Sequence, residues 1–163
     1  HLAGGKAPVR AGATHRLIAP YGLFETKTGP IMIACASEGL YRKLLDVIGH
    51  PEWASDERFV DNPRRVENKA LIEGMIEDVL KTESQGHWFD ALNAAGVPCS
   101  PLNTVADALT HEQTAALGIL QTDPERPEIT SIGFPVSFDG ARPERRNGAP
   151  ELGSTDIASL LGD

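Results

Sequence analysis

Apolar residues alternate with other residues in two short runs near the start of the chain. The two runs are Tyr21, Leu23 and Phe24, then Ile31, Ile33 and Cys35. Alternation of this kind is typical of β-strands with one buried face. The intervening segment, Lys27–Pro30, contains a Thr-Gly pair, and glycine supplies the positive φ that a tight turn needs. The pattern therefore predicts a β-hairpin.

From Glu38 onward, the apolar residues recur at the three-to-four-residue spacing of an amphipathic helix. They are Leu40, Tyr41, Leu44, Leu45 and Ile48. Gly49 followed by Pro51 ends this predicted helix. The polar stretch 51–66 predicts a short, turn-rich connection. A longer helix follows, because adjacent apolar pairs recur four residues apart and form one broad face. The pairs are Leu71 and Ile72, Met75 and Ile76, and Val79 and Leu80.

A third helix is predicted to begin at a cap supplied by Thr82 or Ser84, with Gln85 completing a capping box. Its apolar face carries Trp88, Phe89, Leu92 and Ala95. Gly96 ends it, and the two prolines within 97–101 exclude a helix there.

The remaining chain is predicted to be one short helix followed by extended segments. Asn103 or Thr104 caps the helix, which runs through Leu109. After Gly118, five prolines divide residues 119–150 into short extended segments, and a last amphipathic turn carries Ile157, Leu160 and Leu161. These elements predict an α+β fold: a small β-hairpin or antiparallel sheet, a helical group, and an extended C-terminal segment. We expect a linker over 1–17, a small α+β domain over 18–118, and an extended segment with a terminal helix over 119–163.

Composition narrows the class of protein. The chain has 163 residues, with 15 Lys and Arg against 23 Asp and Glu, for a net charge of −8. No basic cluster is longer than an Arg-Arg pair, so nucleic-acid and membrane partners are not expected. Cys35 and Cys99 form no CxxC motif, and no apolar run approaches the length of a membrane span, which favours a cytoplasmic chain. Because residue 1 is His, we expect a piece of a longer protein.

The residues considered alone show no catalytic machinery. The five histidines share no ligand spacing, so no metal site is predicted, and no glycine-rich phosphate loop or serine nucleophile elbow is present. Cys35 is expected to pack as a small apolar residue. The polar cluster Asp61, Asn62, Arg64, Arg65 and Asn68 is interpreted as capping and solvation before the long helix.

Glu38 is the most interesting titratable residue. It lies where a strand gives way to a helix, beside Gly39. In one interpretation, its negative charge lies in the first turn of the helix and stabilises the helix by interacting favourably with the helix dipole. In the other it is a carboxylate at the lip of a cleft.

Four segments, in order, resemble family III CoA-transferases, the CaiB/BaiF group. "HRLIAPYGLFETKTGPIMIACASEGLYRKLLDVIG" resembles the start of the family's smaller domain, and "FVDNPRRVENKALI" resembles its Asn-x-x-Arg-Val-x-Asn helix entry. "HWFDALNAAGVPCSPLNTVADALTHEQTAALGIL" is similar to its Trp helix and Ala-Gly-Val-Pro loop. "APELGSTDIASLLGD" resembles its closing segment, although this chain lacks the His usual in Leu-Gly-x-His-Thr.

The resemblance implies the function of a parent enzyme. Family members move coenzyme A from an acyl-CoA to a carboxylic acid through an Asp carboxylate, and that Asp lies in a larger domain preceding this one. The implied partners are acyl-CoA and acid substrates, with the CoA thioester as substrate and no cofactor, in a homodimer. No catalytic residue is expected in this chain. By the resemblance, Tyr21, Gly22 and Glu38 contact substrate near the mouth of the active site.

Two other functions stay open at this point. By the resemblance, one alternative is a racemase or another isomerase of the same superfamily, since the α-methylacyl-CoA racemases share the fold and have a carboxylate at the position that Glu38 matches. A non-catalytic dimerisation module is the other alternative. Under the leading hypothesis this chain closes the cleft and shapes acid specificity, and it is inactive alone.

Overall fold

The computed structural model describes residue 4, residues 10–145, and residues 148, 150 and 152–154. The backbone forms two compact units, residues 1–102 and 103–163. The predicted terminal helix, and part of the predicted linker, lie outside the described residues. The predicted domain division after residue 118 stays a prediction.

The first unit is an antiparallel sheet packed against helices. In chain order its elements are β1 (Tyr21–Phe24), β2 (Ile31–Ala34), α1 (Glu38–Val47), a 3-10 helix (Pro51–Ser55), α2 (Asn62–Glu67), α3 (Lys69–Leu80), α4 (Gln85–Ala94) and β3 (Cys99–Pro101). The strand order is β1-β2-β3. The α+β class is therefore confirmed.

The predicted hairpin is confirmed, with Tyr21 paired to Ala34 and Phe24 paired to Ile31. Gly29 in the turn has a φ of 151°. Burial alternates along both strands, so one face of the sheet enters the core while Tyr21 and Met32 lie on the other face. This alternation places Tyr21 outside the core.

The three predicted helices supply most of the core. The buried apolar side chains are Phe24, Ile31, Ile33, Cys35, Tyr41, Leu44, Leu45, Ile48, Phe59, Ile72, Ile76, Leu80, Trp88, Leu92 and Val97. Full burial of one such aliphatic side chain contributes about 1.5–3 kcal/mol relative to exposure. The periodic apolar positions thus account for how α1, α3 and α4 attach to the sheet.

Two local predictions are wrong, and one strand was not predicted. Residues 62–67 form α2 instead of a turn, because the Asp61 side chain accepts a hydrogen bond from Arg64 N and a proline lies in the first turn. Residues 99–101 form β3, paired to β2. Gln85 completes no capping box: Ser84 caps α4, and the Gln85 side chain donates to Pro30 O.

The second unit consists of two short helices and a two-stranded hairpin. Its elements are α5 (Val105–Thr110), α6 (Glu112–Ala116), β4 (Leu120–Thr122) and β5 (Thr130–Ile132). Thr104 and Asp107 form a capping box at α5, which confirms Thr104 as the cap. The sequence did not predict α6, which begins where His111 Nδ1 accepts from Gln113 N. Buried Asp123 holds the turn after β4 by accepting from the amides of Glu125 and Arg126.

Candidate substrate-binding site

Tyr21 opens strand β1 and lines a pocket on the face of the sheet that points away from the core. The pocket has a volume of about 240 Å³. It is lined by Ala13, Thr14, His15, Tyr21 and Met32. The sheet thus supplies Tyr21 and Met32, and the segment that precedes β1 supplies the rest.

Residues 13–15 run alongside β1 and pair with it through the backbone. His15 N donates to Tyr21 O at 2.9 Å, and Leu23 N donates to Ala13 O at 3.0 Å. The His15 ring consequently stacks on the Tyr21 ring, with a centroid separation of 5.2 Å and an interplanar angle of 29°. A stretch predicted only as linker therefore forms one wall of the pocket.

Gly22 makes this close pairing possible. A Cβ atom at residue 22 would lie 2.9 Å from Ala13 O and 3.2 Å from Thr14 Cβ. The first of these atoms belongs to the backbone and cannot swing aside. Gly22 thus has a packing role, in addition to its predicted place near substrate.

Glu38 is the first residue of α1, and its carboxylate is held by Arg65. Arg65 Nη2 donates to Glu38 Oε1 at 2.7 Å, and Arg65 Nη1 donates to Oε2 at 3.0 Å. The Glu38 side chain is 47% exposed, whereas the Arg65 side chain is 2% exposed. The carboxylate therefore lies at the surface, but as half of a bidentate ion pair.

Arg65 connects three segments around this site. Besides Glu38, its guanidinium donates to Ala19 O at 2.7 Å and Phe59 O at 2.9 Å. It also lies over the Tyr41 ring, 4.1 Å from the centroid. Since Ala19 is two residues before Tyr21, Arg65 links the chain entering β1 to the start of α1.

Asn62 fixes the same entering segment. Its side-chain oxygen accepts from Ala19 N at 3.2 Å, and its side-chain nitrogen donates to Leu17 O at 2.8 Å. The capping interpretation is confirmed for Asp61. It is wrong for Asn62 and Arg65, whose side chains bind backbone far away in the sequence.

Glu73, which the sequence did not single out, lies behind the pocket wall. Its Oε1 is 3.5 Å from both Thr14 Oγ1 and Tyr21 N. Burial raises the pKa of Glu73, and the neighbouring Lys69 ammonium opposes that rise. Lys69 Nζ lies 3.7 Å from Glu73 Oε1 and also donates to His15 O.

Neither cysteine is an activated nucleophile. Cys35 is buried, and burial raises its pKa to about 12, so the reactive thiolate is disfavoured. Burial also raises the pKa of Cys99. Among the described residues, no three His, Cys, Asp or Glu side chains are grouped as metal ligands. In the same part of the chain, no helix has the length and apolar character to cross a membrane.

One sequence signal that the predictions did not use marks the close pairing beside the pocket. An isolated glycine within a strand often marks a close backbone approach, and Gly22 is such a glycine. No comparable local signal identified Arg65, because its partners lie 6, 27 and 46 residues away in the sequence.

Comparison with known proteins gives consistent matches along the chain. The model of CoA-transferase family III matches residues 1–156. Acetyl-CoA:oxalate CoA-transferase of Acetobacter aceti is 39% identical over 149 residues, which cover 91% of this chain and 38% of that protein. Succinate–glutarate CoA-transferase of Agrobacterium fabrum is 26% identical, covering 94% and 39% respectively. The chain thus spans less than half the length of these relatives.

A solved structure shows the same fold. A CaiB/BaiF family protein from Brucella suis superimposes with a TM-score of 0.81 at 35% identity. The superposition covers 92% of this chain and 39% of that protein.

Proposed function

The chain belongs to CoA-transferase family III, and from this membership we propose that it is part of an enzyme that moves coenzyme A from an acyl-CoA to a carboxylic acid. The observation that carries the proposal is the family match over residues 1–156. The similarity to an acetyl-CoA:oxalate CoA-transferase agrees with it.

A short dicarboxylic acid is the proposed acceptor. The names of both relatives contain such an acid: oxalate in one, succinate and glutarate in the other. The outward pocket at Tyr21 is small, at about 240 Å³, which suits a short acid better than a long acyl chain.

An Asp carboxylate outside these residues is the proposed nucleophile. It attacks the thioester carbonyl of the donor, giving a mixed anhydride and releasing the CoA thiolate. The thiolate then attacks the aspartyl carbonyl of the anhydride, which releases the donor acid and leaves an aspartyl-CoA thioester. The acceptor carboxylate displaces CoA to form a second anhydride, and CoA returns to the acceptor carbonyl and frees the Asp. The high pKa of buried Cys35 supports placing the nucleophile elsewhere.

Within this scheme, the chain closes the cleft and shapes acid specificity. Tyr21 lies on the outer face of the sheet and is proposed to contact the acid, and Gly22 lets residues 13–15 complete the wall. Glu38 is proposed to face the substrate, with its negative charge balanced by the ion pair that it forms with Arg65. A closed wall keeps water from the anhydride and thioester intermediates.

The finer features of the parent enzyme are also proposals. We propose that it uses the CoA thioester as substrate without another cofactor, lies in the cytoplasm and forms a homodimer. Sedimentation velocity of the complete gene product tests the last point.

The activity test is a CoA-exchange assay on the complete gene product. Acetyl-CoA or succinyl-CoA is incubated with oxalate, glutarate or malate, and the new CoA ester is identified by chromatography and mass spectrometry. We expect exchange with at least one dicarboxylic acid and none from the 163-residue chain alone.

Three results contradict the proposal in different ways. Absence of exchange with every acid rules out the transferase function. Deuterium incorporation at an acyl α-carbon without exchange identifies a racemase or isomerase. Turnover by the 163-residue chain alone shows that the nucleophile has been placed wrongly.

A further inference from the structure

His15 and Tyr21 line the pocket, and each ring carries a hydrogen-bond donor. Leu17 N donates to His15 Nδ1 at 3.2 Å, so the proton of the neutral imidazole is on Nε2. Neither this N–H nor the Tyr21 hydroxyl contacts a partner within the part of the chain that the structure describes. Two free donors on stacked rings are therefore available to a ligand.

The donors are held in place by the backbone. His15 N bonds to Tyr21 O at 2.9 Å, and the ring centroids are 5.2 Å apart. Lys69 also holds His15 by donating to its carbonyl oxygen. Because the ring stack and these hydrogen bonds already order both side chains, binding costs little further ordering.

The surroundings favour an anion. The described segment 10–24 contains Arg10 and Arg16 and no Asp or Glu, although the whole chain has a net charge of −8. Glu73, the carboxylate beside the pocket wall, is paired with Lys69 at 3.7 Å. The pocket thus combines two free donors with a locally positive segment.

The rest of the lining is apolar and suits a short hydrocarbon stem. Met32 and Ala13 supply apolar surface, while the Thr14 hydroxyl is already committed to Tyr21 O at 3.0 Å. A ligand with a carboxylate at one end and few carbons behind it matches this division.

We propose that His15 Nε2–H and the Tyr21 hydroxyl bind the distal carboxylate of the dicarboxylic acid acceptor, the carboxylate that does not receive CoA. This inference rests on the function proposed above. It makes His15 and Tyr21 specificity-determining residues: they select acids with a second carboxylate and take no part in the transfer chemistry.

The test uses His15→Phe, which keeps the stacked ring and removes the N–H donor, and Tyr21→Phe, which removes only the hydroxyl. His15→Gln keeps a donor and serves as the conservative variant. Each variant is made in the complete gene product and assayed with the acid that the wild type uses best. We expect each Phe variant to raise KM for the dicarboxylic acid about tenfold or more. The kcat and the KM for acyl-CoA should change less than about twofold, and His15→Gln should recover part of the loss.

The matched control is His50→Phe. His50 also stacks on an aromatic ring, that of Trp53, at 4.2 Å and 11°, but it lies outside the pocket. It should leave both KM values unchanged. A monocarboxylic acid of the same length provides a second control, since its KM should not respond to the Phe variants.

The outcomes separate this inference from the proposed function. Wild-type exchange with unchanged acid KM in both Phe variants overturns the carboxylate site and leaves the transferase function intact. A rise in KM for acyl-CoA alone assigns the pocket to the donor and also overturns it. Calorimetric titration with the acid measures binding without turnover, so it tests the carboxylate site even if no CoA exchange is detected. Equal affinity of the wild type and the Phe variants for the acid contradicts the inference.

Discussion

Replacing Arg65 tests whether the buried guanidinium holds the site together. Arg65→Met preserves the length and most of the volume of the side chain while removing every donor. In the wild type these donors serve Ala19 O, Phe59 O and both oxygens of Glu38. The variant therefore leaves two backbone carbonyls and one carboxylate without their partner.

The contacts give the expected magnitude. A buried acceptor left without a donor costs about 1–3 kcal/mol, and loss of the cation–π contact with Tyr41 costs about 0.5–2 kcal/mol. The Glu38 ion pair is discounted to about 1 kcal/mol or less because its carboxylate is 47% exposed. These terms overlap and are partly offset by the apolar Met side chain. We expect the free energy of unfolding to fall by about 3–5 kcal/mol, most of it from the two buried carbonyl oxygens left without a donor.

Urea unfolding of the 163-residue chain measures this loss. Trp53 and Trp88 both lie in the first unit and provide the fluorescence signal. At an m value of about 2 kcal/mol/M, the midpoint should fall by about 1.5–2.5 M. Glu38→Gln should cost about 1 kcal/mol or less, since the exposed amide retains contact with water.

Arg64→Met is the matched control. Arg64 is the preceding residue of α2 and is exposed, so the same chemical change should leave the midpoint in place. A loss below about 1 kcal/mol in Arg65→Met, or equal losses at both positions, would refute the assignment of Arg65 as the connecting residue.

Three further outcomes are expected. Gly22→Ala should destabilise the chain by about 1–3 kcal/mol because its Cβ meets a backbone oxygen at 2.9 Å. Gly74→Ala, at an exposed position of α3, should stabilise the chain by about 0.5–1 kcal/mol. Urea midpoints that move in the same direction contradict this. The folded state holds the proton of Glu73 more tightly than the unfolded state, so its ionisation costs stability as pH rises through the raised pKa. Glu73→Gln should thus gain stability relative to wild type as pH rises above about 4, and a relative loss in urea titrations above that pH contradicts the sign. A thiol reagent at pH 8 should label half-exposed Cys99 before Cys35, whose pKa burial raises to about 12; equal rates, resolved by peptide mapping, contradict this order.

The sequence by itself determined the helices and strands that are specified by the spacing of apolar residues close together in the chain. The alternation around Lys27–Pro30 predicted the hairpin, and the apolar pairs at Leu71–Leu80 predicted α3. The alternation did not show which face of β1 is buried: the structure buries Gly22 and Phe24 and leaves Tyr21 on the outer face.

Contacts between distant segments decided the rest. Strand β3 has only three residues, it follows Pro98 and its last residue is Pro101, so no local preference marks it; it forms by pairing with β2. Arg65 looked like a solvated charge, yet its partners begin six residues away and extend to Ala19, so only the packed structure shows where its donors go. The stack of His15 on Tyr21 likewise depends on the backbone pairing that Gly22 permits. Sequence periodicity reports which face of an element is apolar, but a polar group reveals its role only when its partners are brought to it by the fold.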